Sequence, residues 1–368
     1  MHFALSQLLG ERRAGPPWLP DRQVAAESKS MTQAPTMTRD PRAKVAVRIF
    51  FALIVLLLFP AYGQAQPGLK KIRLALPTKT VSFLAFYVAH HKGFYKDEGI
   101  ELEPIIMQPA LASTAVLTGD IDYNGAVTGV IGAAVRDRPM KAVLFTVARP
   151  LQYLMSKKEI REPRELKGKK IAGSSPGGTV TFLTVLVLKR LGLDPERDVS
   201  LNPMGGTGAS RLASLESGVV DAVILESPDN IAAQQRGFHE LIFFGDLIEF
   251  PQNGFGTSEK KIRENPDEIL KMVRATLRGL TFIWDKKNQD QVLEIIMKEM
   301  RPISAVMAKE SLGQVMRVIT KDGSVKPESI QVLIDLVREN TKVTRPVPVS
   351  EVTDFSFLAK AQRELSLR

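Results

Sequence analysis

The sequence predicts an α/β fold of two lobes joined by two crossing segments, with a helical C-terminal part. Three observations predict it. Short apolar runs alternate with amphipathic stretches from Lys71 to Thr146, the same alternation resumes from Leu151 to Phe244, and beyond Phe250 helical spacing takes over. Repeated strand and helix units favour a parallel sheet covered on both faces, one sheet for each series.

In the first series Ile72 to Leu76 reads as a strand. Phe83 to Phe94 reads as a helix, because Phe83, Phe86, Tyr87, His90 and Phe94 fall at helical spacing. Strands at Leu102 to Met107, Asp122 to Asn124 and Lys141 to Thr146 alternate with helices at Leu111 to Thr118 and Gly129 to Arg136. The second series opens with a connecting strand, Leu151 to Met155, and continues with Lys170 to Ala172, Val199 to Pro203, Asp221 to Leu225 and Leu241 to Phe244. Helices at Thr179 to Leu191, Ala209 to Ser217 and Pro228 to Gly237 lie between them.

In the C-terminal part, Asn265-Pro266-Asp267-Glu268 caps a helix whose Ile269, Met272, Val273, Thr276, Leu277, Leu280 and Trp284 keep helical spacing. Further helices are predicted over Gln289 to Met300, Ser304 to Thr320, Pro327 to Asn340 and Ser350 to Leu365. No long linker separates the series, so the lobes share crossing strands near Arg149 to Leu154 and Phe250 to Phe255, with a hinge and a cleft at the boundary. The first lobe is then 66–150 plus 251–368 and the second 151–250.

Upstream, Ile49 to Phe59 is an unbroken apolar run preceded by Arg39, Arg42, Lys44 and Arg48 and followed by Gly63 and Ala65. A basic stretch, a short apolar segment and small residues before a cleavage point read as a secretory signal over 39–65, cut after Ala65 or retained as a membrane anchor. Residues 1–38 show no apolar period and are expected to be a disordered leader or to precede the true start, for which Met31 and Met37 are alternatives to Met1.

Removing residues 1–65 takes away eight Lys or Arg and four Asp or Glu, so the formal charge falls from +10 to +6. No basic block is interleaved with aromatics, so nucleic acid is not an expected partner. The chain has no cysteine, which excludes disulfides, thiolate metal sites and cysteine nucleophiles. No catalytic constellation emerges: His90 shares an apolar helix face, His91 is expected to be exposed, and Asp97, Glu98 and Glu216 read as solvated. Neither a catalytic residue nor a metal or other cofactor is expected.

In open α/β sheets, ligands sit beyond the carboxyl ends of strands. That rule selects Pro77 to Phe83, Asn124 to Thr128, Gly173 to Thr179, Gly205 to Gly208 and Glu226-Ser227. The ligand-binding residues expected from them are Thr80, Ser82, Asn124 and Thr128 in the first lobe, with Ser174, Gly177, Gly178, Thr179 and Glu226 in the second. The glycines of Gly173 to Thr179 allow close backbone approach, but the loop has neither a phosphate-loop ending nor dinucleotide spacing. Glu226, at the end of a buried strand, should look into the cleft. There it would attract a donor group and repel an oxyanion unless Lys79 or another cation pairs with it.

The chain resembles the substrate-binding proteins of ABC importers in the nitrate, sulfonate, taurine and thiamine-precursor group, over about Ile72 to Leu365. The resemblance rests on Phe83-Leu84-Ala85-Phe86-Tyr87-Val88-Ala89 with Lys92-Gly93-Phe94-Tyr95 and Glu98-Gly99-Ile100-Glu101-Leu102. It also rests on Leu117-Thr118-Gly119-Asp120-Ile121-Asp122, Leu166-Lys167-Gly168-Lys169-Lys170-Ile171-Ala172 and Leu215-Glu216-Ser217-Gly218-Val219-Val220-Asp221-Ala222. It implies a type II periplasmic-binding fold, closure around one small solute outside the cytoplasm, and delivery to a permease with its ATPase. The Gly-rich loop holds no Arg or Lys, which leaves anion specificity unsupported. The alternatives on the same fold are a thiamine-pyrimidine-type biosynthetic enzyme, whose eukaryotic forms carry a cysteine-rich motif absent from this chain, and a membrane-anchored ligand sensor.

Overall fold

A computed structural model describes residues 68–173 and 179–367. The signal segment expected at 39–65 and the loop residues Ser174, Gly177 and Gly178 lie outside them. The strands are β1 (Lys70–Leu76), β2 (Ile100–Ile106), β3 (Tyr123–Asn124), β4 (Met140–Val147), β5 (Tyr153–Ser156), β6 (Lys169–Gly173), β7 (Val199–Pro203), β8 (Ala222–Leu225), β9 (His239–Phe243) and β10 (Asn253–Ser258). They form two five-stranded sheets, in the orders β2-β1-β3-β10-β4 and β7-β6-β8-β5-β9.

Neither sheet is wholly parallel, which corrects the expectation. β1 runs parallel to β2 and β3, but β10 is antiparallel to β3 and β4; β6 runs parallel to β7 and β8, but β5 is antiparallel to β8 and β9. The cause is the double crossing. β4 ends at Val147 and the chain passes to β5, while β9 ends at Phe243 and the chain returns to β10. β5 and β10 arrive from the crossing, whereas the other four strands of each sheet end there. The carboxyl ends of eight strands therefore face the junction, where α/β sheets place their ligands.

The crossings hold each other. Gln252 donates its main-chain N–H to Val147 O (3.0 Å) and accepts the Leu151 N–H on its side-chain oxygen (3.3 Å). Phe244 donates to Gln152 O (2.9 Å). β4 has Met140, Ala142, Val143, Leu144, Phe145 and Val147 buried, and β8 is buried throughout, as strands covered on both faces require.

The helix Pro266–Trp284 begins at the predicted proline, and all six of Ile269, Met272, Val273, Thr276, Leu277 and Leu280 are buried. It lies against Leu84–His91 so closely that a Cβ added to Gly279 would sit 2.6 Å from Ala85 O. Its indole at Trp284 donates to Thr320 O (2.9 Å).

Other predicted spans change. The helix over Phe83 to Phe94 is a turn at Val81–Phe83, a helix at Leu84–His91 and a further turn at Phe94–Asp97, because Gly93 takes a left-handed conformation (φ 75°). The crossing strand expected near Phe250 to Phe255 is β10, which pairs inside the first sheet, so strands continue past the point where helical spacing was expected to take over. The helix expected over Ser304 to Thr320 covers Ala305–Met316, and beyond it the chain runs beside β4, with Ala148 N–H on Val318 O and Thr320 N–H on Thr146 O. The helix over Ser350 to Leu365 is divided into Val349–Val352 and Ser356–Glu364, because Thr353 bridges to Ala142. Among the described residues no helix is long and apolar enough to cross a membrane.

Candidate functional site

A cavity of about 370 Å³ opens at the junction of the two sheets. From the first sheet it is lined by the loop after β1 (Pro77, Thr78, Ser82, Phe83), the end of β2 (Ile106, Met107, Gln108) and the turn after β3 (Ala126, Thr128, Gly129). From the second come Val180, Gly206, Thr207, Arg211 and Glu226, while Gln252 and Asn253 reach it from the returning crossing.

Glu226 is its chemical centre. The buried strand β8 delivers it to the junction, and two segments fix its carboxylate. Ser82 Oγ donates to Oε2 (3.1 Å) from the first sheet, and Gln152 Nε2 donates to Oε1 (2.6 Å) from the crossing. Ser82 is 2% exposed and Gln152 fully buried, so these bonds form in a low-dielectric setting that strengthens hydrogen bonds to a charge. Ser82 is itself placed by Thr80, whose Oγ1 lies 2.6 Å from Ser82 Oγ, and by Asn253 Nδ2, which donates to Ser82 O (3.4 Å).

The structure brings Ser82, Thr128 and Glu226 onto the cavity wall. Thr80 stands behind Ser82. Asn124 is turned into its own lobe, where Oδ1 accepts the Ala126 N–H (2.9 Å) and Nδ2 donates to Ser113 Oγ (3.2 Å), so it shapes the turn that carries Thr128. Thr179 begins the helix Thr179–Arg190, next to the lining residue Val180.

Sequence reasoning missed Arg211, Gln152, Gln252 and Asn253. Arg211 belongs to the helix Gly208–Glu216, whose Thr207 cap accepts the Ser210 N–H. Its guanidinium donates from Nε to Ile224 O (2.9 Å) and from Nη1 to Gly205 O (3.4 Å) and Gly206 O (3.1 Å). Burial lowers its pKa, and the neighbouring carboxylates of Glu226 and Asp229 act in the opposite direction. Burial raises the pKa of Asp229, with Glu226 adding to the shift and Arg211 opposing it. Every third or fourth residue of an amphipathic helix looks inward, and that period was the signal available for Arg211.

Lys79 is not the partner of Glu226. It pairs with Glu299 (2.9 Å), which also meets His91 Nε2 (2.6 Å), so His91 is held between two helices and is not exposed as expected. Burial penalises the Glu299 carboxylate, but Lys79 and His91 outweigh it and hold its pKa below the usual value. Glu98 engages Arg274 and is largely covered, in place of the expected solvation, whereas Asp97 and Glu216, which meet Arg278 and Arg236, stay exposed as expected.

The family described as NMT1/THI5 like matches residues 80–289, more than half of the chain. The riboflavin-binding protein RibY of Chloroflexus aurantiacus is 28% identical over 225 residues, 59% of this chain and 63% of that protein, which is less than two thirds of its length. Among solved structures, the periplasmic aliphatic sulphonate binding protein SsuA from Escherichia coli superposes with a TM-score of 0.60 at 18% identity, over 78% of this chain and 92% of its own. The desulfurization enzyme DSZB superposes with a TM-score of 0.58 at 16% identity, over 80% of this chain and 99% of its own. The fold is thus the two-lobed periplasmic-binding architecture, and the chain belongs to the NMT1/THI5-like family.

Proposed function

We propose that this chain is the solute-binding component of an ABC importer, working outside the cytoplasm. It captures one small organic molecule between its lobes, closes about the hinge and delivers the molecule to a permease with its ATPase, without catalysing a reaction. Residues 39–65 export it, either as a cleaved signal or as a retained anchor, and the lobes divide as 66–150 plus 251–368 and 151–250. The ligand residues are Ser82, Thr128 and Glu226, supported by Thr80 and Asn124, with Ser174, Gly177, Gly178 and Thr179 contributed by the Gly-rich loop.

The single observation that carries this reading is the Ser82–Glu226 hydrogen bond across a cavity lined from both sheets and from the returning crossing. A site built this way is complete only when the lobes are together, so a ligand touching both favours the closed state through its differential affinity. Names of relatives support a binding role: RibY and SsuA are both called binding proteins.

The test is a thermal-shift screen of the purified protein against riboflavin, pyrimidines, sulfonates and nitrate, with activity assays in parallel. A ligand at a hundred times its Kd should add about 2.7 kcal/mol of stability. Turnover of a compound that produces no such shift would sink the reading.

A further inference from the structure

We infer that the cleft selects an organic molecule without net negative charge, which gives N–H donors to the Glu226 carboxylate and a neutral acceptor to Arg211, and that it rejects bare oxyanions. The inference rests on the solute-capture reading and deepens it by naming the class of solute.

The first argument concerns acceptors. A carboxylate offers about four lone-pair positions and no donor. Ser82 and Gln152 occupy one on each oxygen of Glu226, and each is a neutral donor that brings no positive charge. A ligand N–H meeting the remaining positions makes a charge-assisted bond, the strong kind. An oxyanion meeting them encounters like charge at close range.

Cations supply the second argument. Arg211 is the one Lys or Arg among the described residues lining the cavity. Its three hydrogen bonds from Nε and Nη1 go to main-chain oxygens, and its charge lies beside two carboxylates, Glu226 and Asp229. Only the Nη2 amine remains to meet a ligand, and the one positive charge on the described lining is matched by its one negative charge, Glu226. Lys79, three residues before Ser82, is committed to Glu299. A sulfonate or nitrate would therefore lose its hydration in exchange for a wall whose charges already cancel or turn negative.

Size and surface supply the third. A cavity of about 370 Å³ falls in the range of drug-sized organic ligands, several-fold larger than a four-atom anion fills. Phe83, Met107 and Val180 add apolar surface to its wall beside the polar groups. A flat or compact apolar body with an N–H and C=O edge satisfies both surfaces.

The experiment measures binding of the purified full chain, by thermal shift and titration calorimetry, to two sets of probes. The donor-bearing set is riboflavin, lumichrome, cytosine and thiamine; the oxyanion set is nitrate, sulfate and ethanesulfonate. The expected result is binding from the donor-bearing set alone, weakened about tenfold or more in Glu226→Gln. The Tm of the ligand-free variant serves as the folding control. Arg211→Lys, which keeps the charge but loses the planar donors, should weaken the same probe without admitting an oxyanion. Binding of any oxyanion with affinity unchanged in Glu226→Gln overturns the inference and leaves solute capture standing. Binding of no probe by the folded protein overturns both.

Discussion

Glu226 is useful only where its carboxylate is held, and the residue that holds it most deeply is Gln152. That side chain is fully buried in the crossing segment, with Nε2 on Glu226 and its own Oε1 without a partner. A bond from a neutral donor to a charged acceptor contributes about 1.5–3 kcal/mol, whereas an orphaned buried oxygen costs about 1–3 kcal/mol. Gln152→Leu removes both, so its effect on folding should be small. Its effect on capture should be large, because Glu226 loses its anchor to the hinge. Gln152→Glu sets two carboxylates side by side and should be worse on both counts. Calorimetric titration of the two variants with whichever probe the wild type binds tests this; affinities equal to the wild type would remove Gln152 from the account. Glu226 itself was legible in the sequence, since an acid directly after a buried apolar strand has few other places to go. Arg211 and Gln152 were not. No local pattern marks Gln152, the helical period says of Arg211 only that it looks inward, and the tertiary meeting of helix, crossing and strand end gives each its role.

Elements carry the second set of consequences. The helix Pro266–Trp284 was readable because a proline cap and an apolar stripe agree, but the closeness of its packing was not, since Gly279 looks like a weak helix residue until Ala85 O appears beside it. Gly279→Val should force the two helices apart at a cost of about 1–3 kcal/mol, seen as a lower urea midpoint. The same helix anchors an acid cluster. Lys261 Nζ meets Asp122 (2.8 Å) and Glu268 (2.8 Å), and Tyr123 donates to Glu268 (2.8 Å). Burial raises the pKa of both carboxyls. For Asp122 the Arg73 N–H and Lys261 outweigh it, and for Glu268 Lys261, Lys70 and Tyr123 do, so both lie below their ordinary values. A carboxyl depressed in the folded state stabilises above its unfolded pKa, about 4 for these groups, and that stability is lost as pH falls through the folded values. Urea midpoints should therefore fall steeply below about pH 4. In Lys261→Met they should already be low at neutral pH and change less with acid. An unchanged acid limb in that variant would contradict the assignment. The strand beyond Phe250 and the break at Thr353 share one cause: β10 and Thr353 take their conformation from partners more than a hundred residues away, Ala142 among them, and no local period records that.

At the scale of the whole molecule, the two series of apolar runs gave away the two sheets, and the missing linker gave away the crossings. Strand direction followed from the crossings only once β5 and β10 were seen to start at the junction. That geometry turns eight strand ends toward the junction and makes Ser82–Glu226 the contact between the lobes at the cavity, beside Asn230–Gln314 (3.2 Å) and Arg317–Asp246 (3.0 Å) elsewhere. The central claim is that a solute closes this junction. The most direct measurement is the distance distribution between spin labels at Glu103 on β2 and Ser200 on β7, both exposed edge-strand positions on different sheets, with and without a saturating concentration of whichever probe the wild type binds. The account predicts that this probe shifts the distribution to a single narrower population, and that Glu226→Gln needs about tenfold or more additional probe to reach it. A distribution identical with and without the bound probe would contradict capture by closure.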